Sequence, residues 1–121
     1  MVTPICIKLN KLINLTLLLV IYEIERLLKE YPEQPYQVAF SSQELRQKLI
    51  LGVLNQLPNY YIILEEDEEL PTDPTCLYYS LEEQILMEVL IRESIVHLLE
   101  ENADYIINYI TQLQNSANEL A

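Results

Sequence analysis

The chain has 121 residues, half of them hydrophobic, and a formal net charge of −12. That length makes one domain, and the acidity works against nucleic acid or anionic lipid as a partner over most of the surface. One glycine in the whole chain argues against a fold of many hairpins, whose tight turns need positive φ.

The charge is uneven. Residues 1–48 carry six Lys or Arg against five acids, and residues 49–121 carry Arg92 against fourteen. An anionic ligand therefore belongs near the first half. A domain of this size buries about two-thirds of its unfolded surface, so a second copy is expected to cover part of the remainder.

Residues 1–8 read as irregular or extended, with Pro4 ahead of the β-prone Ile5-Cys6-Ile7. Residues 12–22 form an apolar run behind Lys8 and Lys11 that imitates a signal peptide. The run is about half the ~20 residues of a transmembrane helix. No small-residue cleavage site follows it, and Glu23, Glu25, Arg26, Lys29 and Glu30 continue a helical pattern. The spacing predicts a first helix over residues 9–31 of a cytoplasmic protein. Its apolar face is Leu17, Ile21, Ile24 and Leu28, with Val20, Leu27 and Tyr31 adjoining. Between residues 15 and 22 Thr16 is the one polar side chain. A helix apolar on nearly all sides is covered on nearly all sides, here in part by the second subunit.

Pro32 and Pro35 end that helix. Ser41-Ser42-Gln43-Glu44 is a capping-box pattern with Ser41 as the cap. The second helix covers residues 42–57, with Leu45, Leu49, Val53 and Leu57 on one face. Gly52 inside it suggests a close helix crossing, because glycine costs about 1 kcal/mol against alanine there. Pro58 closes the helix, and residues 60–65 read as a short strand. Its backbone needs a partner, either residues 76–79 in a hairpin or the same strand of another subunit.

Residues 65–75 form an acidic loop that lacks the interspersed ligands of a calcium loop. Ser80-Leu81-Glu82-Glu83 caps a third helix. Leu81, Ile85, Val89, Val96 and Leu99 line one face of it, with Leu86, Leu90, Ile95 and Leu98 adjacent. Asn102 marks a fourth helix or a bend, and the polar tail over residues 114–121 is expected to fray. The fold class is thus mainly α, three to four helices with a short strand or hairpin after the second, packed as an intertwined dimer.

Candidate chemistry is sparse. His97 stands four residues after Glu93, a routine surface pairing on a helix. Cys6 and Cys76 have no metal-ligand spacing and read as small hydrophobes in a reducing compartment. No phosphate loop or nucleophile constellation is present, and the chain is read as a non-enzyme without metal or cofactor. Tyr60-Tyr61 and Tyr78-Tyr79 flank the acidic loop. Such rings either stack on a base or partner, or sit half-buried with their hydroxyls in water.

The stretch Leu54-Asn55-Gln56-Leu57-Pro58-Asn59-Tyr60-Tyr61 resembles the signature Leu-Asn-Arg-Leu-Pro-Pro-x-Tyr of the late competence development protein family ComFB, in its cyanobacterial form. Upstream, Leu19-Val20-Ile21-Tyr22-Glu23-Ile24-Glu25-Arg26-Leu27-Leu28 is similar to the first helix of that family, so the likeness covers roughly residues 17–64. The resemblance implies a small, mainly helical regulatory protein that dimerises. It implies Leu54 and Leu57 as core, Asn55 as a polar latch, Pro58 as the stop and Tyr61 as an anchor. Cyanobacterial members are cyclic dinucleotide receptors, and other members carry a cysteine zinc site.

This chain departs from the pattern. The zinc cysteines are absent, Gln56 replaces the motif arginine and Asn59 the second proline. Losing that arginine removes a bidentate phosphate contact. Arg26, Lys29, Arg46 and Lys48 remain, and antiparallel packing of the first two helices would gather them around a dimer groove with Tyr60 or Tyr61 for stacking. The functional expectation is a dimeric cyclic dinucleotide receptor. The alternative is an acidic interaction or adaptor protein that meets a basic protein partner.

Overall fold

The computed structural model describes residues 11–78 and 80–120. It is mainly helical, with one two-stranded antiparallel sheet. The expected extended start, Cys6 and Tyr79 lie outside the described residues.

The strand after Pro58 takes its partner from the front of the chain. Strand β1 (Lys11–Asn14) pairs antiparallel with β2 (Tyr61–Leu64), Lys11 opposite Leu64 and Asn14 opposite Tyr61. Residues expected in the first helix are therefore strand, and residues 76–78 supply no partner strand. Asn14 makes the switch. Its Oδ1 accepts from the Leu17 N–H at 3.0 Å and so caps helix α1 (Leu15–Leu28), while the Leu15 N–H reaches back to the Tyr60 carbonyl at 2.7 Å. A cap satisfies donors that a helix start leaves open, so the helix begins at Leu15, six residues after the expected start. It ends at Leu28, where the Glu30 and Tyr31 N–H groups turn to the Leu27 and Leu28 carbonyls.

The buried face of α1 is Leu15, Leu19, Val20, Ile24, Leu27 and Leu28, with Thr16 and Glu23. This is rotated from the expected face: Leu17 is half-buried and Ile21 is exposed. Most of the apolar run is thus covered by its own chain.

An irregular turn over Glu33–Gln37 leads through buried Ala39 and Phe40 to helix α2 (Gln43–Leu54). Its cap is Ser42, not Ser41. The Ser42 Oγ accepts from the Leu45 N–H at 3.4 Å, and Ser41 bonds the Val38 carbonyl instead. Leu45, Leu49 and Val53 are buried as expected, with Leu57 half-buried beyond the helix end. Gly52 marks no close crossing, since a Cβ built there meets nothing within 4 Å.

The acidic stretch is exposed from Glu65 to Glu69. A helical turn over Pro74–Leu77 then packs on α1, with Pro74 buried and Cys76 exposed rather than in the core. Asp73 caps this turn. Hydrogen bonds from the Thr75 hydroxyl and N–H, at 2.6 and 3.0 Å, hold its carboxyl below the usual range.

Helix α3 (Leu81–Glu101) starts at Ser80, whose Oγ accepts from the Glu83 N–H at 3.1 Å. Its buried residues are Met87, Ile91 and Ile95, not the face read from the sequence. The Asn102 amide donates to the Leu98 carbonyl, and its own carbonyl accepts from Ile106. That residue divides α3 from α4 (Ala103–Leu120), which stays helical through the expected fraying tail, with residues 111–118 exposed. Helix α4 rests on Ile106 and on the Tyr105 and Tyr109 hydroxyls, bonded to Ser42 at 2.9 Å and Ser41 at 3.0 Å.

Candidate functional site

Two features converge where the chain leaves α2. One is a small apolar cleft around Pro58, the other an open apolar face on α3.

Thr16 lines the cleft, and Thr16 and Asn59 fix the backbone on either side of Pro58. The Thr16 hydroxyl donates to the Pro58 carbonyl at 3.1 Å and accepts from the Tyr60 N–H at 2.9 Å. This buried side chain satisfies backbone groups that leaving the helix would strand. The Asn59 amide donates to the Leu57 carbonyl at 3.1 Å and the Leu54 carbonyl at 3.4 Å, while its Oδ1 accepts from Asn14 at 3.0 Å. The polar latch is therefore Asn59, and Asn55 is exposed. A proline at position 59 could make none of these side-chain bonds. The other departure, Gln56, donates to the Gly52 carbonyl at 3.0 Å, closing one of the open carbonyls at the end of α2.

The cleft encloses about 100 Å³ between Leu15, Leu19, Leu57, Pro58, Leu86 and Met87, with Thr16, Tyr60, Tyr78 and Glu83 completing it. Small-molecule sites commonly enclose about 300–1,000 Å³, so this one has room for an aliphatic side chain rather than a dinucleotide. Among the described residues no Lys or Arg lines it, and its one charged group is Glu83. The Tyr78 hydroxyl donates to Met87 Sδ at 3.2 Å. Burial, and then the Glu23 carboxylate, push this phenol far above its usual range.

Helix α3 is apolar on two sides. The first, Met87, Ile91 and Ile95, is core. The second, Leu81, Ile85, Val89 and Val96, remains 71, 53, 44 and 48 % exposed. Spaced by four, four and seven residues, these share one face. Leu86, also exposed, stands between that face and the cleft, one turn from Glu82 and Val89. Glu82, Glu93 and Glu100 are exposed along the same helix. His97 pairs with Glu101 at 2.9 Å, not with Glu93.

The expected ligand cations sit elsewhere. Arg26 holds buried Glu23 at 2.7 Å and approaches Glu88 at 3.5 Å and Glu30 at 3.8 Å. Its bond to Glu23 raises the guanidinium pKa. Arg46 pairs with Glu25 and donates to the Phe40 carbonyl at 3.0 Å. Burial lowers its pKa. Lys48 lies 3.6 Å from Glu44, and Lys29 is exposed. Arg92 joins this end, bonded to Glu30 at 2.8 Å and Glu88 at 3.0 Å with its guanidinium 5.7 Å from the Tyr31 ring centre.

Arg26, Lys29 and Arg46 thus lie toward the end of α1 and the start of α2, Arg26 turned to Glu88 of α3 and Arg46 to Glu25. Tyr60 and Tyr61 stand at the start of α1, about 15–20 Å away along a 14-residue helix. Both tyrosines are exposed, and the Tyr61 hydroxyl accepts from Asn14 at 3.5 Å. Within one chain the cations and the tyrosines do not form one site. Among the described residues no group of three or more His, Cys, Asp or Glu could hold a metal, and no helix is long and apolar enough to cross a membrane.

Sequence reasoning missed Thr16, Asn59, Glu83 and Leu86. The signal for Thr16 was present, as the lone polar residue in an apolar run. The other three look like ordinary helix-end or surface residues.

Compared with known proteins, the chain matches no family model, and no curated protein or solved structure matches it at a significant level.

Proposed function

We propose that this chain is a non-enzymatic regulatory protein that works by binding another protein through the open face of α3. The observation that carries this reading is the second apolar face of that helix, Leu81, Ile85, Val89 and Val96, left in water beside the first. A contiguous exposed apolar strip rimmed by polar groups marks an interaction surface. Its charge selects the partner: Glu82, Glu93 and Glu100 border the strip in a chain of net charge −12, which favours a basic surface. Immobilised wild-type protein is expected to retain a basic amphipathic partner at low salt and lose most of it at 0.5 M NaCl, with Val89→Asp losing it at both. Retention that ignores both salt and Val89→Asp contradicts the reading.

A second reading follows the ComFB resemblance: a dimeric cyclic dinucleotide receptor. The clustering of Arg26, Lys29, Arg46 and Arg92 at one end of the molecule favours it. The carboxylates already paired with Arg26, Arg46 and Arg92 weigh against it. Isothermal titration with cyclic di-GMP and cyclic di-AMP decides it: binding abolished by Arg46→Glu, with sedimentation still showing a dimer, supports the receptor. Absence of heat at high micromolar ligand removes it.

A further inference from the structure

The cleft beside Pro58 and the open face of α3 are continuous through Leu86, and their chemistry defines what enters. Among the described residues, every wall group of the cleft except Thr16, Tyr60, Tyr78 and Glu83 is aliphatic, a proline or a methionine. Thr16 is committed to the Pro58 carbonyl and the Tyr60 N–H, and the Tyr78 hydroxyl to Met87. The interior therefore offers an apolar guest contact but little polar recognition. Charge enters through the Glu83 carboxylate, which meets no Lys or Arg among the described residues lining the cleft.

We infer that the cleft is the anchor pocket of the α3 surface. It takes one aliphatic side chain from a basic amphipathic helix lying along Leu81, Ile85 and Val89, while a Lys or Arg about one turn from that anchor pairs with Glu83. The inference rests on the proposed function and adds the position of the anchor and its charged neighbour. An interface concentrates its energy where an apolar group fills a desolvated pocket. The cleft is the concave feature next to an otherwise convex helix face. A helical partner fits because anchors recurring every three or four residues match the spacing of Leu81, Ile85 and Val89. A basic one fits because the nearby exposed charges, Glu82 and Glu93, are acidic. Among the described residues the pocket has no cation to hold a phosphate.

The test uses the full chain and a fluorescein-labelled helical peptide of Leu and Lys in a 3.6-residue period. A Leu/Glu peptide of the same pattern is the control. Fluorescence anisotropy is expected to show the Leu/Lys peptide binding at least tenfold tighter than the control. Leu86→Asp and Glu83→Lys should each weaken it at least tenfold, and Ile63→Asp, on the exposed face of the sheet, should leave it unchanged. An alanine scan of the peptide should find one leucine whose loss costs more than any other, and that loss should not add to Leu86→Asp. Circular dichroism checks that each variant folds, and the peptide scan reads the pocket with the wild-type protein alone.

Binding that Val89→Asp abolishes but Leu86→Asp, Glu83→Lys and the scan leave untouched overturns the pocket and keeps the α3 reading. No preference for the basic peptide overturns both. A sedimenting dimer that Val89→Asp turns to monomer, with no peptide bound, assigns the face to a second copy and overturns the pocket.

Discussion

A carboxylate with no exposed surface is stable only with a cation beside it, and Glu23 has Arg26. Its Oε2 takes both guanidinium bonds, at 2.7 and 3.0 Å, while Oε1 finds no partner among the described residues. Arg26→Met therefore strands a buried charge. The expected loss is about 2 kcal/mol, below the ~3–5 of a fully buried pair because the Arg26 side chain is 39 % exposed. Urea unfolding reads it, and Glu23→Gln in the same chain should restore most of the stability. An unchanged midpoint for Arg26→Met would show that the pair is idle. At this scale the sequence was informative about residue type and poor about partners. Arg26 was visible as a cation, but its commitment to a residue three positions earlier depends on which face of α1 is buried. The spacing to Glu44 favoured Ser41 as the cap, and the structure uses Ser42. The Tyr105 and Tyr109 hydroxyls, sixty residues on, engage one each.

Helix α2 is the element most fully legible in the chain, because Leu45, Leu49 and Val53 make one unambiguous stripe. Its glycine was misread. Glycine is needed where a neighbour crowds the backbone, and Gly52 has open space on its Cβ side without a positive φ. Gly52→Ala is accordingly expected to stabilise the protein by up to ~1 kcal/mol. A thermal midpoint that falls instead would reveal a contact made only in an assembly. Helix α3 shows the converse difficulty. It has apolar residues on two sides, and periodicity measures amphipathicity without saying which side the core takes. The face chosen from the sequence is the open one. Strand β1 was hidden for a different reason: residues 12–14 belong to the apolar run that leads into α1, and their partner lies far along the chain.

For the molecule as a whole, the mainly helical class follows from composition, and the cover over α1 follows from α2 and α3 packing on it. What the candidate site required was the meeting of α1, Pro58 and α3, which no local pattern contains. Leu57, Pro58 and Tyr60, from the stretch that carries the resemblance, line the cleft. The sheet has one more consequence, and it concerns time. Its two strands are about fifty residues apart in sequence and bracket α1 and α2. Closing so long a loop first is entropically costly, whereas packing α1 on α2 brings the ends together beforehand. Pairing should then form after the folding barrier. Ile13→Ala, which trims the half-buried strand residue opposite Ile62, is expected to speed unfolding severalfold in stopped-flow denaturant jumps and to leave refolding nearly unchanged. Equal slowing of refolding would place the strands in the nucleus. On this account the pairing of residues 11–14 with 61–64 governs how long a folded molecule persists, and the helices govern how quickly it is made.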